Sequence, residues 1–136
     1  VRAGVDDYTD HGLFFISTGI QAKRVEEVTS VLLEECQKLR DTLVPEDELN
    51  KAKEHFIGQL YMHLETTGSL AEFYAGQEIT TKNLKLPSEV EKEIRKVTSK
   101  DIMRVAKEIF QNKNLNLAIV GNVTNSNGIK KVLSFK

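Results

Sequence analysis

Several residue types are scarce here, and each scarcity removes a class of function. Cysteine occurs once, at Cys36. A single thiol closes no internal disulfide, so a stapled secreted scaffold is excluded and a reducing, cytoplasmic setting is favoured. No apolar run approaches the ~18–20 residues that a membrane-spanning helix needs, so no membrane partner is expected. No basic-then-apolar leader is visible at the start of the chain, so no signal peptide is expected there. Neither charge sign is in excess: Lys and Arg total 19 against 20 for Asp and Glu. That balance gives no basic footprint for nucleic acid and no polybasic membrane patch. Gly19 and Gly121 stand isolated, so no dinucleotide or phosphate-loop pattern exists. Internal repeats and low-complexity tracts are absent as well.

What is present suits a soluble globular chain. The 136 residues are 40% hydrophobic and 29% charged, enough for one domain with a real core. Val1, Ala3 and Val5 alternate with Arg2 and Gly4, as in a half-buried strand. A polar, turn-rich stretch from Asp6 to His11 follows. Leu13 to Thr18 is a second, more continuously apolar strand, expected inside the sheet. From Ala22 to Leu43, the residues Val25, Val28, Leu32, Cys36, Leu39 and Leu43 trace one stripe of an amphipathic helix. Pro45 and the acidic Glu46, Asp47 and Glu48 suit the start of another. Its stripe is read as Leu49, Ala52, Phe56, Leu60 and His63. Gly58 inside it costs about 1 kcal/mol relative to Ala and suggests close approach by another backbone.

A break is expected over residues 66–69, with helix again from Leu70 to about Ile79. Residues 83–86 read as a connector. Pro87 opens a short helix, and Thr98 or Ser99 caps the next, which Asn112 and its neighbours stop. Residues 115–120 read as a buried strand, and 129–135 as a last short helix. Strands flanking a block of helices predict an α+β fold: a mainly antiparallel sheet with helices on one face. The expected core is Leu13, Phe15, Val28, Leu32, Leu39, Leu49, Phe56, Leu60, Ile102, Ile109, Leu117 and Ile119.

The chemistry-bearing side chains assemble no catalytic, cofactor-binding or metal-binding set by spacing. A helical zinc site wants two histidines about one turn apart. His55 and His63 are eight residues apart, two turns along one helix, and His11 falls in a loop. His63 reads as a hydrogen-bonded core histidine. Glu48 and Glu54 read as a charged first turn and a solvated face. Cys36 on the inner stripe reads as a small buried hydrophobe. Ser17 and Ser69 lack a histidine at motif spacing. Phe56, Tyr61, Phe73 and Tyr74 fall at helical spacing, which suits core packing, with a peptide-holding surface as the lesser alternative.

Four segments in register carry a further signal. They are the opening pair Val1-Arg2-Ala3-Gly4-Val5 and Gly12-Leu13-Phe14-Phe15-Ile16-Ser17-Thr18-Gly19; Val44-Pro45-Glu46-Asp47-Glu48-Leu49-Asn50-Lys51-Ala52-Lys53; Val97-Thr98-Ser99-Lys100-Asp101-Ile102 with Val105-Ala106; and Leu117-Ala118-Ile119-Val120-Gly121-Asn122. Together they resemble the non-catalytic C-terminal half of an M16 zinc peptidase, the insulinase and mitochondrial-processing-peptidase family. The family's His-x-x-Glu-His zinc motif occurs nowhere here, and in the family it lies in the other half.

The resemblance implies a partial C-terminal-type domain spanning residues 1–136, whose first strand and helix lie upstream with an Arg-and-Tyr substrate element. It implies a substrate-clamping role in a parent metalloendopeptidase whose zinc is held by the other, catalytic half. That half and a peptide substrate are the implied partners, and this chain alone should be inert. The alternative is a relative without the zinc motif, acting as scaffold or partner subunit. A stand-alone interaction module remains only if Val1 is a true start. A start inside a strand would also leave sheet edge and apolar surface uncovered. Self-association of the isolated chain is therefore expected through the opening hairpin or residues 115–120.

Overall fold

The computed structural model describes residues 1–122 and 126–135. The fold is α+β: a two-stranded antiparallel hairpin followed by six α-helices among the described residues. The strands are β1 (Arg2–Asp7) and β2 (Gly12–Ser17). They are joined through a tight loop in which the Tyr8 N–H donates to the His11 carbonyl at 3.0 Å. β1 runs two residues further than the alternation of Val1, Ala3 and Val5 suggests. β2 is one member of a pair and is not enclosed by further strands. At Gly4 a Cβ would sit 2.7 Å from Cζ of Phe15, so the ring occupies the space a side chain would need.

The helices are α1 (Val25–Asp41), α2 (Glu46–His63), α3 (Thr67–Thr80), α4 (Pro87–Lys96), α5 (Ser99–Ile109) and α6 (Ser126–Val132). Short 3₁₀ turns precede α1 at Ala22–Arg24 and follow α5 at Asn112–Asn114. Local chemistry explains several boundaries. Thr66 caps α3, its hydroxyl oxygen accepting from the Ser69 N–H at 3.1 Å. Pro87 opens α4, and the Glu89 carboxylate accepts from the Leu86 N–H at 2.7 Å. At the end of α3, Lys82 adopts a left-handed φ of 52° as the chain leaves the helix.

The chain divides into two compact units. One comprises residues 1–3, 16–44 and 100–136; the other comprises residues 4–15 and 45–99. In the first, α1 packs on α6, and Val25, Thr29, Cys36, Ala106, Ile129 and Phe135 are buried. In the second, α2 packs on α4, and Leu49 and Ile57 are buried. No large side chain among the described residues is fully enclosed. The core is thinner than the composition suggests.

Of the expected core, Leu49 is buried. Phe15, Val28, Leu32, Leu60 and Ile102 are half-buried, while Leu13, Leu39, Phe56, Ile109, Leu117 and Ile119 are exposed. The α2 stripe is rotated by one position from its expected register. Its covered residues are Leu49, Lys53, Ile57, Leu60 and Leu64, whereas Ala52, Phe56 and His63 face out. The aliphatic stem of Lys53 occupies an inward position that a binary pattern assigns to an apolar residue. Gly58 has open space around it, so no backbone approaches there.

The expected strand at residues 115–120 does not form; the segment lies outside any helix or strand. An apolar run supplies strand propensity, but a strand also needs a ladder partner, and none pairs with it among the described residues. The last helix begins at Ser126, ahead of its expected start. Residues 123–125 and Lys136 lie outside the described residues.

Candidate functional site

A polar constellation joins α2 to α4. Glu91 and Arg95 are one turn apart on α4, so both side chains rise from one face. Arg95 Nη1 donates to Glu54 Oε1 on α2 at 2.5 Å, and Arg95 Nε donates to Glu91 Oε1 at 2.9 Å. Tyr61, two turns along α2 from Glu54, donates its hydroxyl to the other oxygen of Glu91 at 2.7 Å. Lys53 Nζ donates to the Arg95 carbonyl at 3.1 Å.

The electrostatics follow from those bonds. Hydrogen bonds from Tyr61 and then Arg95 hold the Glu91 carboxyl below the usual carboxylate range. The bond to Glu91 pushes the Tyr61 phenol up, and the bonds to Glu54 and Glu91 push the Arg95 guanidinium up. All three groups are therefore held in one protonation state near neutrality. The cluster can brace two helices. These are solvent-reachable pairs, so each contributes modestly.

Two amide side chains do similar work by imitating backbone. Gln77 of α3 accepts from the Lys85 N–H at 2.8 Å and donates to the Lys85 carbonyl at 3.2 Å. Lys85 Nζ then reaches both Glu93 oxygens at 2.9 and 2.8 Å. In the other unit, Asn112 accepts from the Phe135 N–H at 2.6 Å and donates to the Phe135 carbonyl at 3.1 Å. Each amide completes both backbone bonds of one distant residue, as a strand neighbour would. The Phe135 ring lies 6.0 Å from that of Phe110 and 5.5 Å from the Arg40 guanidinium carbon.

The residues singled out from sequence do not converge. His55 and His63 are exposed on α2; the core role expected for His63 is not found, because α2 turns it outward. His11 sits in the hairpin loop, 2.6 Å from Asp10 and stacked on Tyr8 with ring centroids 4.6 Å apart. Glu48 is exposed in the first turn of α2, and Glu54 is committed to Arg95. Cys36 is buried, and its thiol is pushed up by burial and then by Glu35, away from nucleophilic character. Ser17 ends β2. Ser69 belongs to the Thr66 cap, where the Thr66 hydroxyl donates to its Oγ at 2.9 Å. Of the four aromatics, Phe56 and Tyr61 are exposed, and Phe73 and Tyr74 are half-buried, edge to face at 5.2 Å.

Among the described residues, no group of three His, Cys, Asp or Glu side chains comes together that could hold a metal ion. The described residues therefore do not fit a zinc site. No described helix is long and apolar enough to cross a membrane. Sequence reasoning missed Arg95, Gln77 and Asn112. Only Arg95 left a trace, in its spacing from Glu91; the two amides act across 8 and 23 residues, where no local pattern reports them.

The fold is an α+β arrangement in which charged residues brace α2 against α4. Comparison with known proteins gives the family. Residues 1–56 match the model described as the Peptidase M16 inactive domain. Mitochondrial-processing peptidase subunit alpha-2 of Dictyostelium discoideum is 33% identical over 127 residues, covering 93% of this chain and 28% of the relative. Subunit beta of Saccharomyces cerevisiae is 27% identical over 119 residues, covering 86% and 26%. Human subunit alpha is 31% identical over 117 residues, covering 86% and 22%. The chain belongs to the M16 peptidase family, in its inactive C-terminal region. It spans about a quarter of the length of these relatives.

Proposed function

We propose that this chain serves as part of the substrate-clamping C-terminal half of a zinc metalloendopeptidase that hydrolyses peptide bonds. The carrying observation is the match of its opening segment to an inactive peptidase domain. The two compact units are taken as parts of one partial C-terminal-type domain. Its own residues would supply wall and support: the Glu54–Arg95–Glu91–Tyr61 brace and the two amide clamps hold helices in place. Zinc, held by the other half of the parent protein, would supply an activated water for attack on the peptide carbonyl. Catalysis would then depend on this half for enclosure and positioning of the peptide.

A second reading has its own support. The relatives' names are all those of subunits, which favours a scaffold or partner subunit in a multi-chain assembly.

The test uses the intact parent protein. Deleting the segment equivalent to residues 1–136 should abolish peptide cleavage while stoichiometric zinc remains bound. Loss of the zinc together with the segment would refute the assignment of metal to the other half. A parent that holds no zinc and cleaves nothing would replace the clamping role with the scaffold role.

A further inference from the structure

We draw no further inference here: the strongest candidate, the buried Arg40 Nε in the last turn of α1, has no hydrogen-bond partner among the described residues, but its guanidinium is already held by Gln37 and the Phe135 ring, and nothing in the structure shows a ligand that it would take.

Discussion

Replacing Ile57 with alanine tests the register of α2 and, with it, the packing of α2 on α4. Ile57 is 6% exposed, while its neighbour Phe56 is 58% exposed. Ile57→Ala removes three side-chain carbons from a buried position. At about 0.8 kcal/mol for each buried carbon, the transfer cost is roughly 2.4 kcal/mol. Incomplete collapse of the cavity adds to this, giving about 2.5–4 kcal/mol, within the range seen for large-to-small core changes. Phe56→Ala removes more atoms, but from a mostly hydrated side chain. Alanine is also the better helix former, so the net change should stay within roughly 0.5 kcal/mol. Urea denaturation followed by far-ultraviolet circular dichroism separates the two variants. For a slope of about 1–3 kcal/mol/M, Ile57→Ala should lower the midpoint by roughly 1 M or more at unchanged slope. Phe56→Ala should barely move it. The opposite order would mean that Phe56 faces inward, with Leu49, Ala52 and Leu60, and that the packing described for α2 is wrong.

Asn112→Ala removes both bonds to the Phe135 backbone and should cost about 1–3 kcal/mol, read from the same denaturation midpoint. Asn112→Asp keeps an acceptor for the Phe135 N–H but sets a carboxylate oxygen against the Phe135 carbonyl, so it too should lower the midpoint. The brace between α2 and α4 should weaken at both pH extremes. Glu91 has its carboxyl depressed, so its contribution is present above the ordinary carboxylate pKa and fades as pH falls through the depressed value. Tyr61 has its phenol raised, so its contribution is complete below the ordinary phenol pKa and fades as pH rises through the raised one. A carbon-detected titration should therefore place the Glu91 midpoint below the usual carboxylate range, and Tyr61→Phe should move it back up. Purified chain should retain no stoichiometric zinc after dialysis, since His55 and His63 are too far apart to share an ion; elemental analysis showing one zinc per chain would reopen catalysis by the chain itself.

Local signals in the sequence carried the helices well. Pro87 with Glu89 marks the start of α4, whereas the stretch expected as a break over residues 66–69 is the capped first turn of α3, which starts at Thr67 and not at Leu70. The α4 boundary depends on bonds within one turn, so the sequence displays it directly. The inward face of α2 was harder to read. Phe56 is the more hydrophobic residue, but Lys53 is half-buried because its ammonium finds the Arg95 carbonyl, a partner 42 residues away. Residues 115–120 failed for a related reason. Composition can make a strand favourable, but only a neighbour across the ladder can make it form. The same limit hid the two amide clamps.

The clamp at Asn112 also determines how this molecule would age. Asparagine is among the thermolabile residues. Hydrolysis of its amide would replace the donor facing the Phe135 carbonyl with a carboxylate oxygen. The acceptor toward the Phe135 N–H would survive, and the other half of the clamp would become a repulsion. Phe135 is one of the few well-covered side chains of its unit. A change of one atom, with almost no change in mass, would therefore loosen that unit at its aromatic contact with Phe110 and Arg40. The oldest molecules in a preparation would show this as a slow drift in charge accompanied by a loss of cooperativity.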